Sequence, residues 1–174
     1  MDITGLSTDN IRNSVLLPFV SETINTMNTM AGIKASSDLL TYHDPLDVFT
    51  FKDFAVSINT TFTNGVTNNI VMIFDLNTAI IVGNQIRTVL LGTAESSSVL
   101  TDDINEALAE MLNIIIGLAT REINETNHKI TFGAPLYLYS KEDSEFLLQG
   151  IKQIMTVPIE LNKIGRIHLS YLTR

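Results

Sequence analysis

The stretch from Thr101 to Asn124, TDDINEALAEMLNIIIGLATREIN, places its apolar residues at the period of one long helix. Ile104, Ala107, Leu108, Met111, Ile115, Leu118 and Ala119 recur at three- and four-residue steps, which lines them along one face that a core must cover. Thr101 stands where a hydroxyl can cap the helix start. Asp102 and Asp103 put carboxylates in the first turn, against the positive end of the dipole. Glu106, Glu110, Asn113, Gly117 and Arg121 fall at steps of four, three, four and four, forming a second, polar stripe on the same cylinder. Gly117 is its odd member, because glycine inside a helix costs about 1 kcal/mol relative to alanine. Two readings fit these residues. Either the stripe is a solvated face that tolerates a glycine, or another backbone approaches closely there and meets a carboxylate and an amide beside a flat spot.

The chain has 174 residues, most simply one domain over 1–174, and at 45% apolar it can bury a sizeable core. A net charge of -8 with no basic run argues against a nucleic-acid surface. Absence of cysteine excludes disulfides, thiolate metal sites and cysteine nucleophiles. His43, His128 and His168 have no zinc-ligand spacing, so no metal site is expected. The start, MDITGLSTDN, lacks the basic and apolar regions of a signal sequence, and no apolar run approaches the ~18 residues of a membrane span. The expected location is the cytoplasm, without membrane contact.

Along the chain, residues 8–31 carry Ile11, Val15, Phe19, Val20, Ile24, Met27 and Met30 at helical spacing, with Asp9 as a cap and Gly32 as terminator. Pro18 either kinks this helix or begins a second one at its first turn. Glu22 and Asn25 repeat the Glu-x-x-Asn spacing of Glu110 and Asn113, without a following glycine on that face. Residues 33–53 suggest a loop or irregular edge strand. Phe54 to Phe74 reads as a hairpin turning at Asn64 and Gly65, its second strand well buried. Asn77 to Leu91 predicts a helix capped by Asn77, with Ala79, Val82, Ile86, Val89 and Leu90 toward the core and a stop at Gly92. Lys129 to Tyr139 is a strand around Gly133 and Pro135. Glu142 to Glu145 is an acidic turn, and Phe146 to Leu161 and Ile164 to Leu172 are two strands joined near Asn162 to Gly165. The expected class is α+β, a largely antiparallel sheet with long helices packed on one face.

Common catalytic patterns are missing: no GxSxG, P-loop, GxGxxG or HExxH occurs. Glu106 and Glu110 lie on adjacent turns of one face, which is not how a glycosidase pair flanks a bond.

Glu110-Met-Leu-Asn113 followed by Gly117 resembles the Glu-x-x-Asn helix of the CheC/CheX/FliY family of bacterial chemotaxis phosphatases, its CheX branch in particular. Pro135 lies at about the family's distance downstream of the Asn. PFVSETINTMNTMAG at 18–32 looks like the family's first helix, and FTNGVTNNIVMIFDLNTA at 62–79 like its hairpin and second helix. One position departs: Glu106 stands where the family usually has Asp or Ser. The resemblance implies a phosphatase acting on the aspartyl-phosphate of a CheY-like receiver domain. In that role Asn113 orients the attacking water and Glu110 pairs with a receiver lysine, while Glu106 is a contact residue and Gly117 makes room. It implies no cofactor in this chain, Mg²⁺ being supplied by the receiver, and a homodimer. A second site at Glu22 and Asn25 would follow only if the chain resembled CheC, whose two halves each carry a motif. The alternative is a module of the same fold that docks a receiver without speeding hydrolysis.

Overall fold

The computed structural model describes residues 11–44, 53–62, 65–92, 95–125 and 129–174. Asp9 and Asn64, expected as a cap and a turn residue, lie outside them. A π-helical turn, Arg12–Leu16, leads into α1 (Leu17–Thr29), and Pro18 sits in the first turn of α1, where its missing amide leaves no bond unmade. Gly32 then takes a left-handed conformation at φ 64°, and the Ile33 amide closes onto the Met27 carbonyl at 2.9 Å. Two short strands follow, β1 (Ala35–Ser36) and β2 (Tyr42–Asp44). The remaining elements are β3 (Phe54–Phe62), β4 (Thr67–Phe74), α2 (Leu76–Leu91), α3 (Asp102–Glu125), β5 (Ile130–Leu138), α4 (Lys141–Leu148), β6 (Gln153–Leu161) and β7 (Gly165–Thr173).

Among the described residues seven strands pair antiparallel in one sheet ordered β1-β6-β7-β4-β3-β5, with β2 continuing the edge of β6 that β1 begins. The expected hairpin is β3 and β4, in register from Phe54 opposite Phe74 to Thr61 opposite Thr67. Strand period sends alternate side chains to opposite faces. Val56, Ile58, Ile70, Met72, Val157 and Leu169 lie on the face carrying α1, α2 and α3, each with no exposed surface. Ala55, Val71, Ile73, Ile154 and Leu172 lie on the other, where Leu147 of α4 packs with them. Three helices therefore cover one face, as expected for α+β, and a fourth partly covers its reverse. Among the described residues no helix is long and apolar enough to cross a membrane.

Three local expectations are corrected. The acidic segment is not a turn, and Phe146 does not begin a strand: residues 141–148 form α4. Its start is fixed by a capping box, in which Ser140 Oγ accepts from the Asp143 amide (3.2 Å) and Asp143 Oδ2 accepts from the Ser140 amide (3.0 Å). The cap of α2 is Asp75 rather than Asn77, because Asp75 holds an extended backbone and accepts from the Thr78 amide at 2.8 Å. Finally, Val89 and Leu90 are 49% and 42% exposed rather than core, since the last turn of α2 extends past what α3 and the sheet cover.

Gly83 shows why α2 and α3 lie where they do. A Cβ there would meet the Cγ2 methyl of Ile104 closer than real Cβ atoms approach, with the Ile104 Cβ and carbonyl oxygen at 3.3 and 3.4 Å behind it. Ile104 has no exposed surface and no room to yield. Gly83→Ala, which would gain helix propensity on an isolated helix, is therefore expected to lower stability by about 1–3 kcal/mol through overpacking, read as a reduced denaturation midpoint. A second expectation concerns α4. The Tyr139 amide, chiefly, and then the Ser140 hydroxyl and amide hold the Asp143 carboxyl below its ordinary value. A depressed carboxylate contributes stability that is present above its unfolded value and lost as pH falls through the folded one. The melting-temperature gap between wild type and Asp143→Ala should then narrow as pH drops below about 4.

Candidate functional site on helix α3

The 24 residues of α3 begin as their sequence requires. The Thr101 hydroxyl accepts from the Ile104 amide at 3.3 Å, and Asp102 and Asp103 occupy the first turn. Ile104, Leu108, Met111, Ile115 and Ala119 are fully buried against the sheet and neighbouring helices; each buried isoleucine or leucine of such a stripe is worth about 1.5–3 kcal/mol. Leu118, at the margin of the stripe, is half-buried.

Burying that stripe turns the other one outward. Glu106, Glu110, Gly117 and Arg121 are exposed, and Asn113 is half-buried. Asn113 Nδ2 reaches Glu110 Oε2 at 3.5 Å, a long contact that a stronger partner displaces at little cost. An added Cβ at Gly117 would meet nothing within 4 Å. The two glycines of the helix layer thus differ: Gly83 is required by Ile104, whereas no atom of the described chain requires Gly117. Close approach by another backbone, one of the two readings of the sequence, has no counterpart among the described residues.

Two flanks frame the stripe. On the α2 side lies a groove of about 380 Å³ lined by Arg87, Leu90, Leu91, Asp103, Glu106, Ala107 and Glu110. Arg87 is fixed across it, bonding Asp103 at 3.1 Å and the Glu95 carbonyl at 3.3 Å. On the β5 side, Asn105 Nδ2 donates to the hydroxyl of Tyr139, the residue that follows β5, at 2.8 Å and ties the start of α3 to the end of the strand. The rings of Tyr137 and Tyr139 lie 6.4 Å apart. Partial burial, followed by the charges of Glu106 and Asp102, raises the Tyr137 phenol above its ordinary value. Pro135 sits in β5 opposite Ile58, next to a slip of register between Ile58 and Thr60. Among the described residues β5 pairs with β3 alone, and an edge strand beside a register slip is where a sheet accommodates proline.

The second Glu-x-x-Asn pair lies on α1, where Asn25 Nδ2 reaches Glu22 Oε2 at 3.3 Å. That bond is what three-residue spacing gives on any helix, and no exposed glycine accompanies it. Sequence reasoning missed Leu90, Leu91 and Tyr137 as neighbours of the stripe. A signal was present in three successive apolar residues, Val89-Leu90-Leu91, placed just before the terminating Gly92.

No protein-family model matches the sequence, and no curated protein matches it in sequence either. Solved structures do match in shape. The chemotaxis protein CheX from Vibrio vulnificus superimposes with a TM-score of 0.72 at 17% identity, over 93% of this chain and 99% of that one. A CheC-like superfamily protein from Shewanella gives 0.69 at 13% identity, over 92% and 97%. CheX of Borrelia burgdorferi, solved as a CheX-CheY-BeF3-Mg²⁺ complex, gives 0.63 at 16% identity, over 91% and 97%. This chain has the fold of CheX and CheC-like chemotaxis proteins.

Gly117→Ala tests whether the flat spot serves the chain itself. With open space around the new methyl, the expected result is a gain of about 1 kcal/mol, a rise in melting temperature of about 2–4 °C for a chain of this size. A loss of stability would show that the position has an internal role.

Proposed function

We propose that this protein is a phosphatase that accelerates hydrolysis of the aspartyl-phosphate on a CheY-type receiver domain. The observation that carries the proposal is the outward column of Glu110, Asn113 and Gly117, whose glycine costs its own helix stability and meets no other atom among the described residues. The likeness to a CheX solved with CheY, BeF3 and Mg²⁺ supports the choice of partner.

The receiver holds the phosphoryl group and the Mg²⁺, so this chain need only place a water. The Asn113 amide can both donate and accept a hydrogen bond, as a group must to hold water in line with phosphorus. Water oxygen bonds to phosphorus as the phosphorus–oxygen bond to the receiver aspartate breaks. Free carboxylate and inorganic phosphate are the products, with the water proton leaving to solvent or phosphate. Glu110 is the docking carboxylate. A receiver lysine that takes its charge also releases the long contact to Asn113, freeing the amide for water. Glu106 contacts the partner one turn earlier, and Gly117 lets the receiver backbone approach. Positioning of this kind contributes through entropy already spent in docking, as where a glutamine orients water in a GTPase. The homodimer and the cytoplasmic location implied by the family resemblance belong to the same proposal.

The test is phosphate release from a Mg²⁺-bound, acetyl-phosphate-charged CheY-type receiver from the same genome. Wild type is expected to accelerate release, and Asn113→Ala to lower kcat by about 100-fold, the cost of a misplaced reactant, with unchanged circular dichroism. Failure of wild type to accelerate any of several receivers that it still binds would replace the phosphatase with a non-catalytic docking module.

A further inference from the structure

We infer that the exposed end of α2, Leu90 and Leu91 with the groove beside them, is the apolar half of the receiver-docking surface. It takes a large apolar side chain of the receiver that stands beside a basic one. The inference rests on the phosphatase reading for the identity of the partner, and on the geometry of the groove for its place.

Arg87, Leu90 and Leu91 are three and four residues apart, so they share one face of α2, and Asp103, Glu106, Ala107 and Glu110 share the facing side of α3. Leu91 is 66% exposed in the last turn before Gly92, whose left-handed backbone, φ 75°, ends the helix there. With Val89 this makes three successive exposed apolar residues. A surface helix ordinarily carries polar side chains at such positions, and an apolar cluster retained in water marks a contact surface. The groove of about 380 Å³ has room for one large side chain.

Two observations commit the surface to the receiver. The first is continuity: Glu106 and Glu110 line the groove and also belong to the outward stripe, so a partner that engages Glu110 and Asn113 overhangs the groove mouth. The second is charge. Arg87 is already spent on Asp103, and among the described residues neither Glu106 nor Glu110 has a cation within ion-pair distance. A complementary partner thus brings a lysine or arginine for the carboxylates and an apolar neighbour for the leucines. Fully desolvated apolar anchors beside a charged rim are what concentrate binding energy at an interface.

The double variant Leu90→Gln, Leu91→Gln tests this, with three readouts: dephosphorylation kinetics, the Kd for the Mg²⁺-bound receiver charged with BeF3, and mass by light scattering. Expected are a rise of about tenfold in KM and Kd, a kcat within about twofold of wild type and an unchanged melting temperature. Wild-type KM and Kd in the double variant would overturn the inference while leaving the phosphatase reading intact. The same result with a dimer converted to monomer would reassign the patch to a second copy of this chain. If wild type binds but does not accelerate, the Kd comparison still decides the surface and only the phosphatase reading falls. If wild type neither accelerates nor binds, both fall.

Discussion

The contact between Ile104 and the bare backbone of Gly83 governs how the helix layer is assembled. Because α2 carries no side chain at that point, α3 comes close enough to bury Ile104 completely, and the apolar stripe that follows lies along the sheet. Rotation of α3 is then fixed. Glu106, Glu110, Asn113 and Gly117 are carried to the outside not by interactions of their own but because the opposite face is taken. The spacing of the groove beside them is set by the same crossing.

What could be read in the chain before any coordinates follows from how many residues repeat one message. A 24-residue helix states its period many times over, and the boundaries expected for α3 agree with the observed ones to a residue at each end. The hairpin was equally legible, since β-branched and aromatic residues alternate before a glycine with positive φ and an apolar run continues from Ile70 to Phe74 after it. By contrast α4 has eight residues, too few to declare a period, and its cap uses Asp143 where Glu or Gln is the commoner partner. Phe146 and Leu147 looked like the start of a strand, yet the buried positions in α4 are Ser144 and Leu147, three residues apart as on one face of a helix. Asp75 and Asn77 both have capping side chains, and only backbone geometry decides between them.

The site divides in the same way. Its column of carboxylate, amide and glycine lies on one element and could be found from spacing. Its flanks could not, because Arg87 and Leu90 come from α2, Tyr137 from β5 and Tyr139 from the residue after it, and they meet α3 only after folding. Val89 and Leu90 even pointed the wrong way, since a helical period cannot tell where the core beneath a helix stops. Identities of 13 to 17% with structures of the same shape make the related point that periodicity and turn chemistry, more than particular side chains, specify this architecture.

The two faces of the sheet are held by unequal means. One carries three helices locked by buried stripes, and the reverse carries α4, eight residues with Leu147 buried and a cap of two side chains. Local opening draws on the regions with least buried apolar contact, so the reverse face is where excursions from the native state begin. By that rule α4 opens more readily than α3, whose stripe is buried along its length. The carboxylate and amide of the long helix accordingly keep their spacing through most of the motion the molecule undergoes, and a partner meets them already in place.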